Sequence, residues 1–158
     1  MQVAVSRAPA DDCIARGRAP LMSAIAVLSL AGVIVSAFSL DRHYATSKSS
    51  FCDIGQSFNC DLVNRSAYST LFGVPVALIG VVGYLVVLCL ATVYRQKAEA
   101  PLFLAVASAL GLTFALYLTY VEAHVLGVWC ILCLSSLTLI LAIALLSGIV
   151  AVNSRRRA

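Results

Sequence analysis

Two pairs of cysteines carry the chemistry open to this chain. Cys130-Ile131-Leu132-Cys133 sets two thiols three residues apart. In a helix such residues share a face, so their sulfurs can bond with little backbone change. If a helix starts there, its positive end favours a thiolate and lowers the cysteine pKa. Cys52 and Cys60 form the second pair, separated by seven residues in a stretch rich in Ser, Asn, Asp and Lys. Two pairs on one side of a membrane suit a relay by thiol–disulfide exchange, in which a thiolate attacks a disulfide and the oxidised state passes along. Rival readings are packing cysteines, a static disulfide staple or a metal site. Two thiols without a closing Cys or His pair at finger spacing make a poor zinc site, even with His43 and His124 available, so no metal is predicted. Cys89 reads as a packing residue inside an apolar run, and Cys13 is given no role.

The elements that must position these thiols are read from where charge is missing. The 158 residues are 61% hydrophobic and only 11% charged, too little charge to cover a soluble domain of this size. Uncharged runs occupy residues 19–40, 66–94, 100–121 and 123–154. Each reaches the roughly 20 apolar residues that cross a bilayer core. The sequence therefore predicts an all-α integral membrane protein, a four-transmembrane-helix bundle with one outer, periplasmic or lumenal, loop carrying a cysteine pair. Eight of the eleven Lys and Arg fall on the side holding both termini and the second-to-third connection, and Arg42, Lys48 and Arg65 on the other. That bias places both termini in the cytoplasm. The net charge of +4 is thus a topology signal, and no nucleic-acid footprint is present. The first apolar run, about 22 residues, is longer than the roughly 7–15 of a signal peptide.

Along the chain, residues 1–20 read as a disordered cytoplasmic tail, 21–152 as the membrane domain and 153–158 as a basic cytoplasmic tail. Helices are predicted over about 21–40, from 72–75 to 94, over 101–121 and over 130–152. Residues 41–67 form the outer loop and 122–129 a brief outer connection. Glu122 and His124 read as a solvated pair at the interface, the alternative being a titratable pair that supplies protons to the redox step, and Tyr120 and Trp129 read as headgroup-level anchors. Ser135 and Ser136 can be satisfied within their own helix. The wet pair Cys52 and Cys60 suits exchange with a soluble dithiol protein. Cys130 and Cys133, beside hydrocarbon, suit a lipid-soluble two-electron carrier such as a quinone.

Phe51-Cys52-Asp53-Ile54-Gly55-Gln56-Ser57-Phe58-Asn59-Cys60, Asn64-Arg65-Ser66-Ala67-Tyr68, Leu71-Phe72-Gly73-Val74-Pro75 and Trp129-Cys130-Ile131-Leu132-Cys133 together resemble the vitamin K epoxide reductase family. The resemblance implies a four-helix bundle around a quinone pocket, with ubiquinone, menaquinone or vitamin K as the quinone. It implies that Cys130 and Cys133 are the active-site pair and that Cys52 and Cys60 are the loop shuttle pair. On the same basis Cys133 contacts the quinone as a thiolate, Cys130 exchanges with Cys60, and Cys52 exchanges with the external partner. Ser66, Phe72 and Gly73 are implied at the quinone pocket.

Two departures direct the reading within the family. The stretch from Cys60 to Phe72 lacks the long insert of animal members, and Leu137 stands where those members place a tyrosine. Both favour a bacterial branch that oxidises a DsbA-like partner and reduces respiratory quinone in the inner membrane. Many bacterial members carry a fused thioredoxin-like domain; none follows Ala158, so the thioredoxin-fold partner is expected to be a separate chain. The alternatives are vitamin K epoxide or quinone reduction to another end, and a non-enzymatic tetraspan protein stapled by its disulfides.

Overall fold

A computed structural model of the protein describes residues 9–45, 53–54, 58–95, 97 and 99–155. Its first helix, α1, runs from Pro9 to Tyr44. Proline suits a first helical position, where its missing N–H would be unpaired anyway. The helix continues through Pro20, so the expected disordered tail is helical from Pro9 onward. It also runs a turn past the expected end at residue 40, which brings His43 against the Asn64 carbonyl.

The outer segment is built from short elements. Strands β1 (Asp53–Ile54) and β2 (Phe58–Asn59) pair antiparallel. Helix α2 (Cys60–Asn64) follows, with Asn59 as its cap: the Asn59 Oδ1 accepts the Leu62 N–H at 2.8 Å. A 3-10 turn, Ala67–Ser69, leads into a hairpin of β3 (Thr70–Leu71) and β4 (Val74–Pro75). Its two tip residues, Phe72 and Gly73, both have positive φ, 52° and 81°. Left-handed backbone at both central positions matches the twist of a two-residue hairpin.

This hairpin lies where the sequence predicts the start of the second helix. Pro75 disfavours helical backbone at Val74 before it, and helix α3 begins only at Val76 and ends at Thr92. Its 17 residues reach about 26 Å, short of the roughly 20 residues that span without help. Helix α4 (Ala100–Val121) carries Pro101 in its first turn. It passes into a π turn, Glu122–Leu126, which Gly127 ends at φ 64°. The expected outer connection is thus mostly a continuation of α4. Helix α5 runs from Ile131 to Arg155.

Among the described residues, three stretches are long and apolar enough to cross a membrane: Ala19–Tyr44, Ala100–Leu126 and Ile131–Arg155, with Val76–Thr92 as a shorter apolar helix. Large apolar side chains such as Val27, Leu110 and Leu145 stand exposed around the outside of the bundle, an arrangement suited to lipid and not to water. Helix α1 packs against both α3 and α5, and α4 packs against α5, while α3 and α4 are the loosest of the neighbouring pairs in this ring. The core of this ring holds Met22, Ile25, Tyr84, Val87, Leu104 and Ile143. Gly32 lets α1 and α3 approach: a Cβ there would sit 2.3 Å from the Tyr84 ring. The Tyr84 hydroxyl then donates to the Ser136 carbonyl at 2.8 Å and lies 3.0 Å from the Ser136 Oγ. That bond ties α3 to α5 one turn beyond Cys133. Buried Ser108 and Ser147 bond across α4 and α5 at 2.7 Å, an interhelical hydrogen bond of the kind that holds bundles together where no water competes.

Candidate redox site

Backbone pairing brings the two cysteine segments together. Phe58 and Trp129 form a parallel bridge, and the Asn59 N–H donates to the Trp129 carbonyl at 3.1 Å. The chain therefore leads into Cys60 and into Cys130 side by side, each at the start of a helix. Both residues are 0% exposed and share one buried cluster with Val63. Cys60 is disulfide-bonded, whereas Cys130 and Cys133 are free thiols. Cys52 lies outside the described residues.

Asn64 stitches this junction. Its Nδ2 donates to the Cys60 carbonyl at 2.9 Å and to the Cys130 Sγ at 3.8 Å. Its Oδ1 accepts the Ser39 hydroxyl at 2.6 Å, and its carbonyl meets the His43 Nδ1 at 2.5 Å. One buried amide thus joins α1, α2 and the sulfur that opens α5. The sequence shows Asn64 only as a polar loop residue; its partners lie 25 and 66 residues away, beyond any local pattern.

The Cys130 thiol is pulled below its ordinary value. The chief cause is the hydrogen bond from the Cys133 side chain; backbone N–H groups of Cys133 and Leu132 add to it, against burial and the nearby Glu122 carboxylate. A sulfur so placed is the natural nucleophile of the pair. Accordingly, the thiolate absorbance that disappears in a Cys130→Ser variant titrates with a midpoint below the ordinary thiol value of about 8.5. An ultraviolet titration of the two proteins measures it, and Asn64→Leu, which removes a donor to the sulfur, moves the midpoint up.

Cys133 packs against the same cluster but, unlike Cys130, also reaches a cavity. It lines a cavity of about 390 Å³ between the four helices, together with Ser39, Asn64, Phe114 and Leu118. That size and a mostly apolar wall with a few polar groups are typical of a small-molecule site. Gly83 of α3 and Leu110 of α4 both line the cavity and are both exposed, so it opens sideways between α3 and α4, the loosest neighbouring pair. Polar groups gather at its outer end: His43, Ser39, Asn64, Ser66 and Ser69 on one side, Glu122 and Cys133 on the other.

Of the residues singled out in the sequence, Cys60, Cys130 and Cys133 come together, and Ser66 reaches the cavity with its hydroxyl donating to the Val63 carbonyl at 2.8 Å. Phe72 and Gly73 do not reach it. They form the hairpin tip, where their left-handed backbone turns the chain away from the bundle, and the Phe72 side chain is 100% exposed. Glu122 and His124 separate: His124 is exposed and stacks on Tyr120 at 4.4 Å, whereas Glu122 is 2% exposed. The π turn produces this split, and an uncharged run ending at Val121 gives no sign of it. Ser136 lines the cavity and holds the Tyr84 hydroxyl, while Leu137 lies outside the lining.

A thiol pair with one sulfur against a second cysteine segment and the other against an apolar, membrane-embedded cavity is an arrangement for moving electrons. The sequence profile described as the Vitamin K epoxide reductase family matches residues 23–147, well over half of the chain, and the protein belongs to that family of membrane thiol oxidoreductases.

Proposed function

We propose that the protein oxidises a separate thioredoxin-fold dithiol protein and passes its two electrons to a quinone, supporting disulfide formation outside the membrane. The observation that carries this reading is the division of labour within Cys130–Cys133: Cys130 is buried against Cys60, and Cys133 lines the lipid-facing cavity.

The external dithiol, of DsbA type, reduces the Cys52–Cys60 disulfide and leaves with a disulfide of its own. Cys60 then attacks Cys130 of the oxidised inner pair, forming a Cys60–Cys130 bond and releasing Cys133. Attack by Cys52 on Cys60 restores the loop disulfide and leaves Cys130 and Cys133 as two thiols. Re-forming their disulfide breaks two S–H bonds and delivers two electrons and two protons, the amount that converts a quinone to its quinol. Bonding of Cys60 in a disulfide beside two free inner thiols corresponds to the stage just before that last transfer. The quinone is a substrate of this reaction. A flat ring with a greasy tail fits an apolar cavity of this volume that opens toward lipid, with Ser66 and Cys133 at its polar end.

The reading places α3 as the fourth span, its short length completed on the outer side by the β3–β4 hairpin. Both termini then lie in the cytoplasm of a bacterial inner membrane, with the Cys60 segment outside. The test is anaerobic: purified protein, a reduced DsbA-type donor and a soluble ubiquinone or menaquinone analogue. One quinol formed per donor disulfide is expected. Folded protein that reduces neither quinone sinks the relay and leaves the outer cysteines as a staple.

A further inference from the structure

We propose that Glu122 is the proton carrier of the redox centre, taking a proton from the inner thiol pair and handing it to the electron acceptor in the cavity. The inference rests on the reading above and concerns a group that the electron relay leaves without a task.

Glu122 is the one buried acidic side chain among the described residues, at 2% exposure. It begins the π turn at the outer end of α4, and its carboxyl lines the cavity. Oε2 accepts the Cys130 N–H at 3.2 Å. Oε1 is buried and has no hydrogen-bond partner among the described residues. Cys133 lines the same cavity. A purely structural role is satisfied by Oε2 alone, which pins the Cys130 backbone so that α5 can start. For that task an amide serves as well, and burying a carboxyl with one oxygen unpaired costs more than burying a paired group. What an acid adds is an exchangeable proton, held between a reacting thiol and the space where the acceptor sits.

The transfer balances. Oxidation of Cys130 and Cys133 forms one S–S bond and breaks two S–H bonds. The acceptor's two C=O oxygens become O–H groups. Glu122 gives its proton to one of those oxygens and regains one from the Cys133 thiol, ending as it began; the Cys130 proton is released to water and the second oxygen takes its proton from water, so two are lost and two gained. The other titratable groups lining the cavity are His43, Tyr68 and Tyr84. His43 already uses its Nδ1 on the Asn64 carbonyl, and Tyr84 its hydroxyl on Ser136.

E122Q tests the idea, because its amide oxygen still accepts the Cys130 N–H. Relative to native protein assayed in parallel, kcat for quinone reduction falls about a hundredfold, the low end of what a positioned proton-transfer group contributes, with KM close to native. E122D restores part of the rate. Exchange of the external dithiol with the cysteine pairs, followed without quinone, changes far less than quinone reduction does. Infrared difference spectra between dithiol-reduced and oxidised protein, again without quinone, show a carboxyl band in the native chain that is missing in E122Q. An E122Q kcat within twofold of native, or a native chain that turns over with no carboxyl band, overturns the assignment. So does equal loss of exchange and of quinone reduction, which marks a structural residue. A native chain that does not turn over at all counts against the function itself and is thereby told apart.

Discussion

In a Cys133→Ala protein, quinol formation falls to the uncatalysed background and a Cys60–Cys130 disulfide accumulates. The expectation follows from placement. Cys130 is fully buried in the cluster with Cys60, and the Asn64 amide bonds to both residues, so exchange between these two needs no large movement. Cys133 is the sulfur that lines the cavity. Without it Cys130 has no partner on its own helix with which to close a disulfide, and electrons reaching Cys130 have no exit. The Cys130 sulfur also loses the hydrogen bond that chiefly lowers its pKa, so trapping is slower near neutrality than in a protein retaining that bond, and is hastened by raising the pH. The Cys52 thiolate freed in the trap can reverse it; when Cys52→Ala is added, an external disulfide such as oxidised glutathione takes the two electrons as Cys60 and Cys130 join, and no thiol is left to reverse the bond. Non-reducing peptide mapping reads the linkage directly. Joined Cys60 and Cys130 peptides are expected in both variants and more fully in the double one. Finding neither, in protein that still binds into membranes as a folded bundle, would mean that the two pairs do not communicate.

The helices and the thiols were legible in the sequence for different reasons. Charge is excluded from a bilayer core, so the gaps between charged residues mark α1, α4 and α5 closely. The same signal misplaces the start of α3, because residues 70–75 are as uncharged as the helix after them. Only the Phe72-Gly73 pair and Pro75 betray a turn there. Cys130 and Cys133 announce themselves by spacing, a local property. Asn64 and Glu122 do not, since their parts depend on neighbours supplied by other segments. The Phe58–Trp129 bridge that sets Cys60 beside Cys130 leaves no trace in either segment alone. Glu122 reads as an interfacial residue until the π turn is seen to rotate it inward.

Gly83→Phe shuts the cavity while leaving the cysteine chemistry intact, and its expected effect is roughly a thousandfold loss of kcat/KM for quinone, about 4 kcal/mol. Gly83 lines the cavity on α3, and a Cβ added there meets nothing within 4 Å. A larger side chain therefore enters open space, with no collision against the backbone. Glycine inside a helix is also unfavourable relative to other residues by up to about 1 kcal/mol, so the substitution does not weaken α3 through its backbone. The contrast with Gly32 is instructive: there an added Cβ strikes the Tyr84 ring and the bundle itself is pried apart. A phenyl group at residue 83 lies at the opening between α3 and α4, the route from lipid to Cys133. Loss of quinone reduction with native rates of exchange between the external dithiol and Cys60, and with unchanged thermal stability in detergent, would locate the acceptor in this cavity. Undiminished kcat/KM for a quinone bearing its full isoprenoid tail would move the site of electron delivery elsewhere on the bundle, because a substrate that must pass Gly83 to reach Cys133 cannot ignore a ring placed in its way.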